Sequence, residues 1–86
     1  MYDELTLFMA HRAAFRNRAS IVLSETCGCF HCCKTFPPTE IKAWADKGET
    51  ALCPYCGMDS ILGDASGFTL NNTFLTAMKT RFFLHS

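Results

Sequence analysis

The sequence has no apolar run of the roughly 18 or more residues that a membrane-crossing helix needs. It also has no excess charge of either sign: eight Lys and Arg balance eight Asp and Glu. Internal repeats, low-complexity linkers and blocks of like charge are missing as well. Each absence closes a class. The first argues against an integral membrane protein, and the second against a strongly basic nucleic-acid binder. The third argues against solenoids and disordered tails. Histidine is scarce too, since His11, His31 and His85 lie far apart with no pairing that suggests a catalytic or metal site. The opening Met1-Tyr2-Asp3-Glu4 is acidic, whereas a secretory leader starts basic and turns apolar. The expectation is therefore a cytoplasmic protein with no membrane partner.

Against this, cysteine and phenylalanine are plentiful, with six and eight in a chain of 86 residues. A chain this short buries a modest core and often needs a staple. In a reducing compartment clustered thiols are metal ligands more often than disulfides, although a disulfide framework remains an alternative.

The cysteines are spaced for a metal. Cys29-x-x-Cys32 and Cys53-x-x-Cys56 are two pairs separated by twenty residues. Each pair can fold into a knuckle that aims both sulfurs at one ion, and two knuckles complete the tetrahedral four-cysteine shell that Zn2+ favours. Pro54 stiffens the second knuckle, and Gly57 just after it permits a positive φ. The spacing predicts one structural Zn2+ per chain on Cys29, Cys32, Cys53 and Cys56. An iron–sulfur cluster is the alternative that cysteine ligands alone leave open. Cys27 is a substitute for Cys29 with an unusual spacing to Cys32, and Cys33 reads as a small packed side chain. A closed four-thiolate shell leaves no position for water or substrate, so it points to folding and away from catalysis.

Around this motif the sequence predicts an α+β fold, a single domain over 1–86. An N-terminal helical segment covers 1–23, a zinc-ribbon-like unit with short strands covers 24–63, and a C-terminal helix covers 71–84. In the first segment Asp3 is a candidate N-cap. Leu5, Phe8, Met9, Phe15, Ala19 and Val22 fall roughly on one helical face, interrupted by Arg12, with a break near 16–18 where Asn17 can cap a second turn. Ala10, Ala13 and Ala14 suit close helix packing. In the ribbon, a proline-led helix over 38–46 presents Ile41 and Trp44. Trp44, Phe30, Phe36 and Tyr55 are the expected core over the metal. Asn71 caps the last helix, whose apolar face is Phe74, Leu75, Met78 and Phe82, with Lys79, Arg81 and His85 near its end.

Three functions compete. The reading that fits best is a non-enzymatic module that binds a protein partner, as an adaptor or as an inhibitor of the kind phages and mobile elements carry. The second is a nucleic-acid-binding regulator using Arg12, Arg16 and Arg18. It is opposed by the metal-bearing middle, where Lys34, Lys42 and Lys47 face six acidic residues. The third treats Cys53-Pro54-Tyr55-Cys56 as a glutaredoxin-like thiol–disulfide centre. That motif normally opens a helix, whereas Gly57 and the turn-and-strand pattern after it do not.

The segments Cys27-Gly28-Cys29-Phe30-His31-Cys32, Pro38-Thr39-Glu40-Ile41-Lys42-Ala43-Trp44 and Cys53-Pro54-Tyr55-Cys56-Gly57-Met58-Asp59-Ser60-Ile61 resemble a family of small bacterial cytoplasmic proteins. Its members carry Cys-Gly-Cys-Phe-Tyr-Cys, Pro-x-Glu-Ile-x-x-Trp and Cys-Pro-x-Cys-Gly-x-Asp-Ser-Val. The resemblance covers most of residues 11–83, including a Phe74-to-Met78 helix. It implies the fold and the four-cysteine site but no activity. His31 stands where the family has an aromatic, which argues against His31 as a ligand.

Overall fold

The computed structural model describes residues 2–84, so His85 lies outside the described residues. Among these, helices α1 (Glu4–Ala13) and α2 (Arg18–Leu23) come first. Strands β1 (Cys27–Cys29), β2 (Thr35–Phe36), β3 (Trp44–Ala45), β4 (Thr50–Ala51) and β5 (Ile61–Gly63) follow, then helix α3 (Asn72–Lys79). The result is a small α+β structure with two antiparallel sheets, β2-β1-β5 and β3-β4. No helix among the described residues is long and apolar enough to cross a membrane.

Both outer helices start where capping chemistry places them. Asp3 accepts from the Thr6 N–H at 2.7 Å, and Asn71 accepts from the Phe74 N–H at 2.8 Å. On α3 the apolar spacing buries Phe74, Leu75 and Met78. Beyond Lys79 the helix continues as a π-helical turn through Leu84.

The three-stranded sheet separates two apolar layers, because alternate residues of a strand face opposite ways. Leu62 points to a helical layer of Leu7, Ala10, Ala14, Phe30, Phe74, Leu75 and Met78. Its neighbour Ile61 points the other way, with Cys27 and Cys29, into a layer that also holds Ile21, Phe36, Ile41, Ala51 and Cys53. Gly28 faces the helical layer. A Cβ there would stand 3.2 Å from Leu75, so the missing side chain lets α3 sit close to the sheet.

Two expectations are corrected. The apolar stripe Leu5, Phe8, Met9, Phe15, Ala19 and Val22 is exposed, and the buried residues are Leu7, Ala10, Ala14 and Ile21. Two causes combine. The chain breaks between the helices, with Arg16 at φ 51, so α1 and α2 share no common face. The small side chains of Ala10 and Ala14 also allow a closer approach than Phe8 or Met9 would. The 38–46 helix is likewise absent. Pro38–Glu40 forms one 3-10 turn, Ile41 turns extended at ψ 123, and Trp44 pairs with Ala51 across the β3–β4 ladder. Pairing satisfies the backbone there, with the Leu52 N–H donating to the Ala43 carbonyl at 3.1 Å.

Asn17 stands at the head of α2 but makes no side-chain cap. It is buried, its Nδ2 donates to the Ile61 carbonyl at 2.7 Å, and its Oδ1 accepts from the Ala51 N–H at 3.1 Å. One amide side chain thus ties β5 of the larger sheet to β4 of the smaller one.

Candidate metal centre

The four cysteines reach one point from two turns built to the same plan. In the first, the Cys33 N–H donates to the Cys29 carbonyl at 2.8 Å and the Cys29 N–H donates to the Lys34 carbonyl at 3.0 Å. In the second, the Gly57 N–H donates to the Cys53 carbonyl at 3.0 Å and the Cys53 N–H donates to the Met58 carbonyl at 2.9 Å. The third residue of each turn aims its backbone N–H at the leading sulfur, His31 at Cys29 Sγ and Tyr55 at Cys53 Sγ, both at 3.3 Å. Positive φ recurs at matching places, 62° at Cys33 and 80° at Gly57. The second knuckle has the residue suited to that conformation, and the first has a cysteine in it.

The two knuckles meet sulfur to sulfur. Cys29 Sγ lies 3.6 Å from Cys56 Sγ, and Cys32 Sγ lies 3.6 Å from Cys53 Sγ. All four sulfurs fall within 4.8 Å of one another, so together they can hold one metal ion. All six cysteines are free thiols. Ser60, buried under the site, places its Oγ 3.1 Å from Cys29 Sγ, a supporting contact of the kind that orients a ligand.

The electrostatics of the cluster favour a cation. Burial pushes the Cys56 thiol up to about 12, with the neighbouring Cys29 sulfur adding to the rise. Burial raises Cys32 in the same way, helped by Cys53 and Cys29. At Cys53 burial also acts upward, but the N–H groups of Tyr55 and Cys56 and the thiols of Cys32 and Cys56 outweigh it and hold this thiol below its ordinary value. Crowded sulfurs thus resist losing their protons together unless a positive ion sits among them.

The structure brings Cys29, Cys32, Cys53 and Cys56 together and leaves the other singled-out residues elsewhere. Cys27 is fully buried in β1, outside the sulfur cluster, and burial followed by the nearby Asp64 carboxylate raises its thiol to about 11. Cys33 packs against the helical layer. His31 sets its ring edge-on to Phe83 at 4.6 Å, and its Nδ1 is buried with no hydrogen-bond partner among the described residues. Of the four aromatics expected over the metal, Phe36 is buried there and Trp44 is half-buried. Phe30 points into the helical layer instead, and Tyr55 is 53% exposed. The alternation of the sheet and the turn of each knuckle set these directions.

The three arginines differ in the contacts they make. Arg18 lies over the Trp44 ring at 4.8 Å and donates to the Gly48 carbonyl at 2.8 Å. Arg16 lies over Phe15, and Arg12 is exposed on α1. Sequence reasoning missed Asn17 as a structural tie, for which the only local signal was a polar residue beside a predicted helix. Ser60 reads from the sequence as a hydrogen-bonding support of the knuckle backbone, and the structure puts its hydroxyl on the Cys29 sulfur instead. No family model, curated protein or solved structure matches the chain significantly.

Proposed function

We propose that this chain is a zinc-ribbon-like protein that holds one structural Zn2+ and works by binding a protein partner. The convergence of four cysteine sulfurs from two matched knuckles carries the reading. A tetrahedral zinc with Zn–S bonds of about 2.3 Å has sulfur–sulfur edges of about 3.8 Å. The two 3.6 Å approaches are close to that edge. Four thiolates saturate such an ion, and its role is then to fold the chain. A partner-binding role draws on the large apolar side chains left on the surface, among them Leu5, Phe8, Met9, Phe15 and Leu23.

The rival readings have less support. Arg18 is committed to Trp44 and Gly48, which weakens a phosphate-binding face. The Cys53 turn is followed by β5 and not by a helix, so it lacks the helix N-terminus that activates a redox thiol. Native mass spectrometry tests the proposal. One zinc per chain, with unfolding on chelation, is the expected result. A folded, metal-free protein would overturn the structural-zinc reading, and so would a thiol–disulfide turnover that scales with the protein.

A further inference from the structure

The four clustered cysteines are not equally open to solvent. Cys29 and Cys53, which lead the two knuckles, are 0% and 4% exposed, whereas Cys32 and Cys56, which close them, are half-buried. The 3.6 Å contacts run across the knuckles and join unlike members: Cys56 touches buried Cys29, and Cys32 touches buried Cys53. Each partly open cysteine thus has a sheltered one in direct contact on the opposite turn. An oxidant reaches the more open sulfur first, and a second sulfur in contact turns the product into a disulfide.

From this pairing we infer that the cluster is an oxidation site for hydrogen peroxide, with Cys32 and Cys56 attacked first and Cys53 and Cys29 as their resolving partners. As ligands of a cation all four sulfurs are thiolates. The Cys56 thiolate takes one oxygen from peroxide, becoming a sulfenic acid, and the other oxygen leaves as hydroxide. The Cys29 thiolate then attacks that sulfur, forming the Cys29–Cys56 bond and expelling a second hydroxide. Cys32 and Cys53 react in the same way. Two peroxides accept the four electrons, and four thiolate charges depart as four hydroxides. Each pair has to close from 3.6 Å to the roughly 2.0 Å of a disulfide. Disulfide sulfurs carry no charge, so the oxidised cluster no longer holds a cation.

The remaining thiols stay out of this chemistry. Cys27 is fully buried outside the cluster, and Cys33 packs against the helical layer. The inference rests on the four-cysteine metal reading and adds redox control to it. It also differs from glutaredoxin-like chemistry, which would link Cys53 to Cys56 within one turn. Chelation of the reduced chain leaves no bond among the four sulfurs, whereas oxidation replaces the ion with two covalent links between the turns.

The test treats the zinc-loaded full chain with a small excess of hydrogen peroxide while a chromophoric chelator reports free zinc. Chymotryptic cleavage after Phe30 and Tyr55 separates the two cysteines of each knuckle, so mass spectrometry of the unreduced peptides reads every pairing. The expected result is one zinc released for two peroxides consumed, with Cys29–Cys56 and Cys32–Cys53 links. Dithiothreitol and added zinc then restore the loaded protein, and Cys33→Ser responds as the parent does. Links within the knuckles, Cys29 to Cys32 or Cys53 to Cys56, overturn the inference. So does zinc retained in excess peroxide, or a response lost in Cys33→Ser. A chain that holds no zinc sinks the metal reading alone, since the disulfide map still decides the pairing.

Discussion

Cys33 and Gly57 occupy equivalent places in the two knuckles, and both have the left-handed conformation that side chains with a Cβ resist. A Cβ at Gly57 would meet nothing within 4 Å, so its cost is purely one of backbone conformation. Gly57→Ala is therefore expected to destabilise the metal-loaded protein by about 1–2 kcal/mol. Cys33→Gly relieves the same strain and loses only a half-buried thiol, so it is expected to be neutral or stabilising. Denaturant unfolding of both variants checks this, and an unchanged midpoint for Gly57→Ala would refute the strain argument. Asn17 poses a different residue-scale test. Its removal strands the Ala51 N–H and the Ile61 carbonyl inside the protein. Asn17→Ala is expected to cost on the order of 2–4 kcal/mol, the penalty for two unsatisfied buried groups. A loss below about 0.5 kcal/mol, the range of ordinary surface substitutions, would show that water replaces the amide.

Among the elements, each knuckle is a turn whose backbone N–H groups face sulfur, and two such turns supply one site. The thiols of Cys32 and Cys56 lie above their ordinary value in the metal-free cluster, Cys56 at about 12. They are protonated at neutral pH, so a metal ion must displace their protons on binding. The sign follows: affinity rises as pH rises through the neutral range and falls as pH drops, with protons released to solvent. Competition titrations with a chromophoric chelator at several pH values, in buffers of different ionisation enthalpy, measure both effects. A pH-independent affinity with no proton release would mean that the sulfurs are not the ligands. The helices give a second lesson. Caps at Asp3 and Asn71 formed where short-range chemistry placed them, because a cap needs only its own first turn. The helix expected over 38–46 did not form, because β3 found its ladder partner in β4, and pairing lies outside what helical spacing reports.

Across the molecule as a unit, the two apolar layers are joined through the first knuckle. Phe30 lies between two of the cysteines that form the site, yet its ring is buried in the helical layer with Leu7, Phe74 and Met78. With a metal held across the four sulfurs, its removal would free the knuckle and with it this anchor. Chelation is therefore expected to unfold α1 and α3 together with the sheets, in one transition followed equally by far-ultraviolet ellipticity and by tyrosine and tryptophan fluorescence. Two separate transitions would show that the helical layer stands alone. A core this small supplies only about 3–5 kcal/mol, whereas metal binding in small zinc domains contributes on the order of 10 kcal/mol.

Local spacing was enough to place the sulfur pairs, the caps at Asp3 and Asn71 and the apolar face of α3. Each depends on residues within one turn, or on two turns that a metal can unite whatever lies between them. Which side of α1 is buried was a matter of packing. Leu5-Phe8-Met9 and Leu7-Ala10-Ala14 both satisfy helical periodicity, and the choice was made by how closely α3 can approach alanine. Long-range contact also put Trp44 in a strand and set Asn17 across two sheets in place of capping a helix. Periodicity reports which residues share a side. Which side faces inward depends on the partner that packs there, and that partner is distant in the chain.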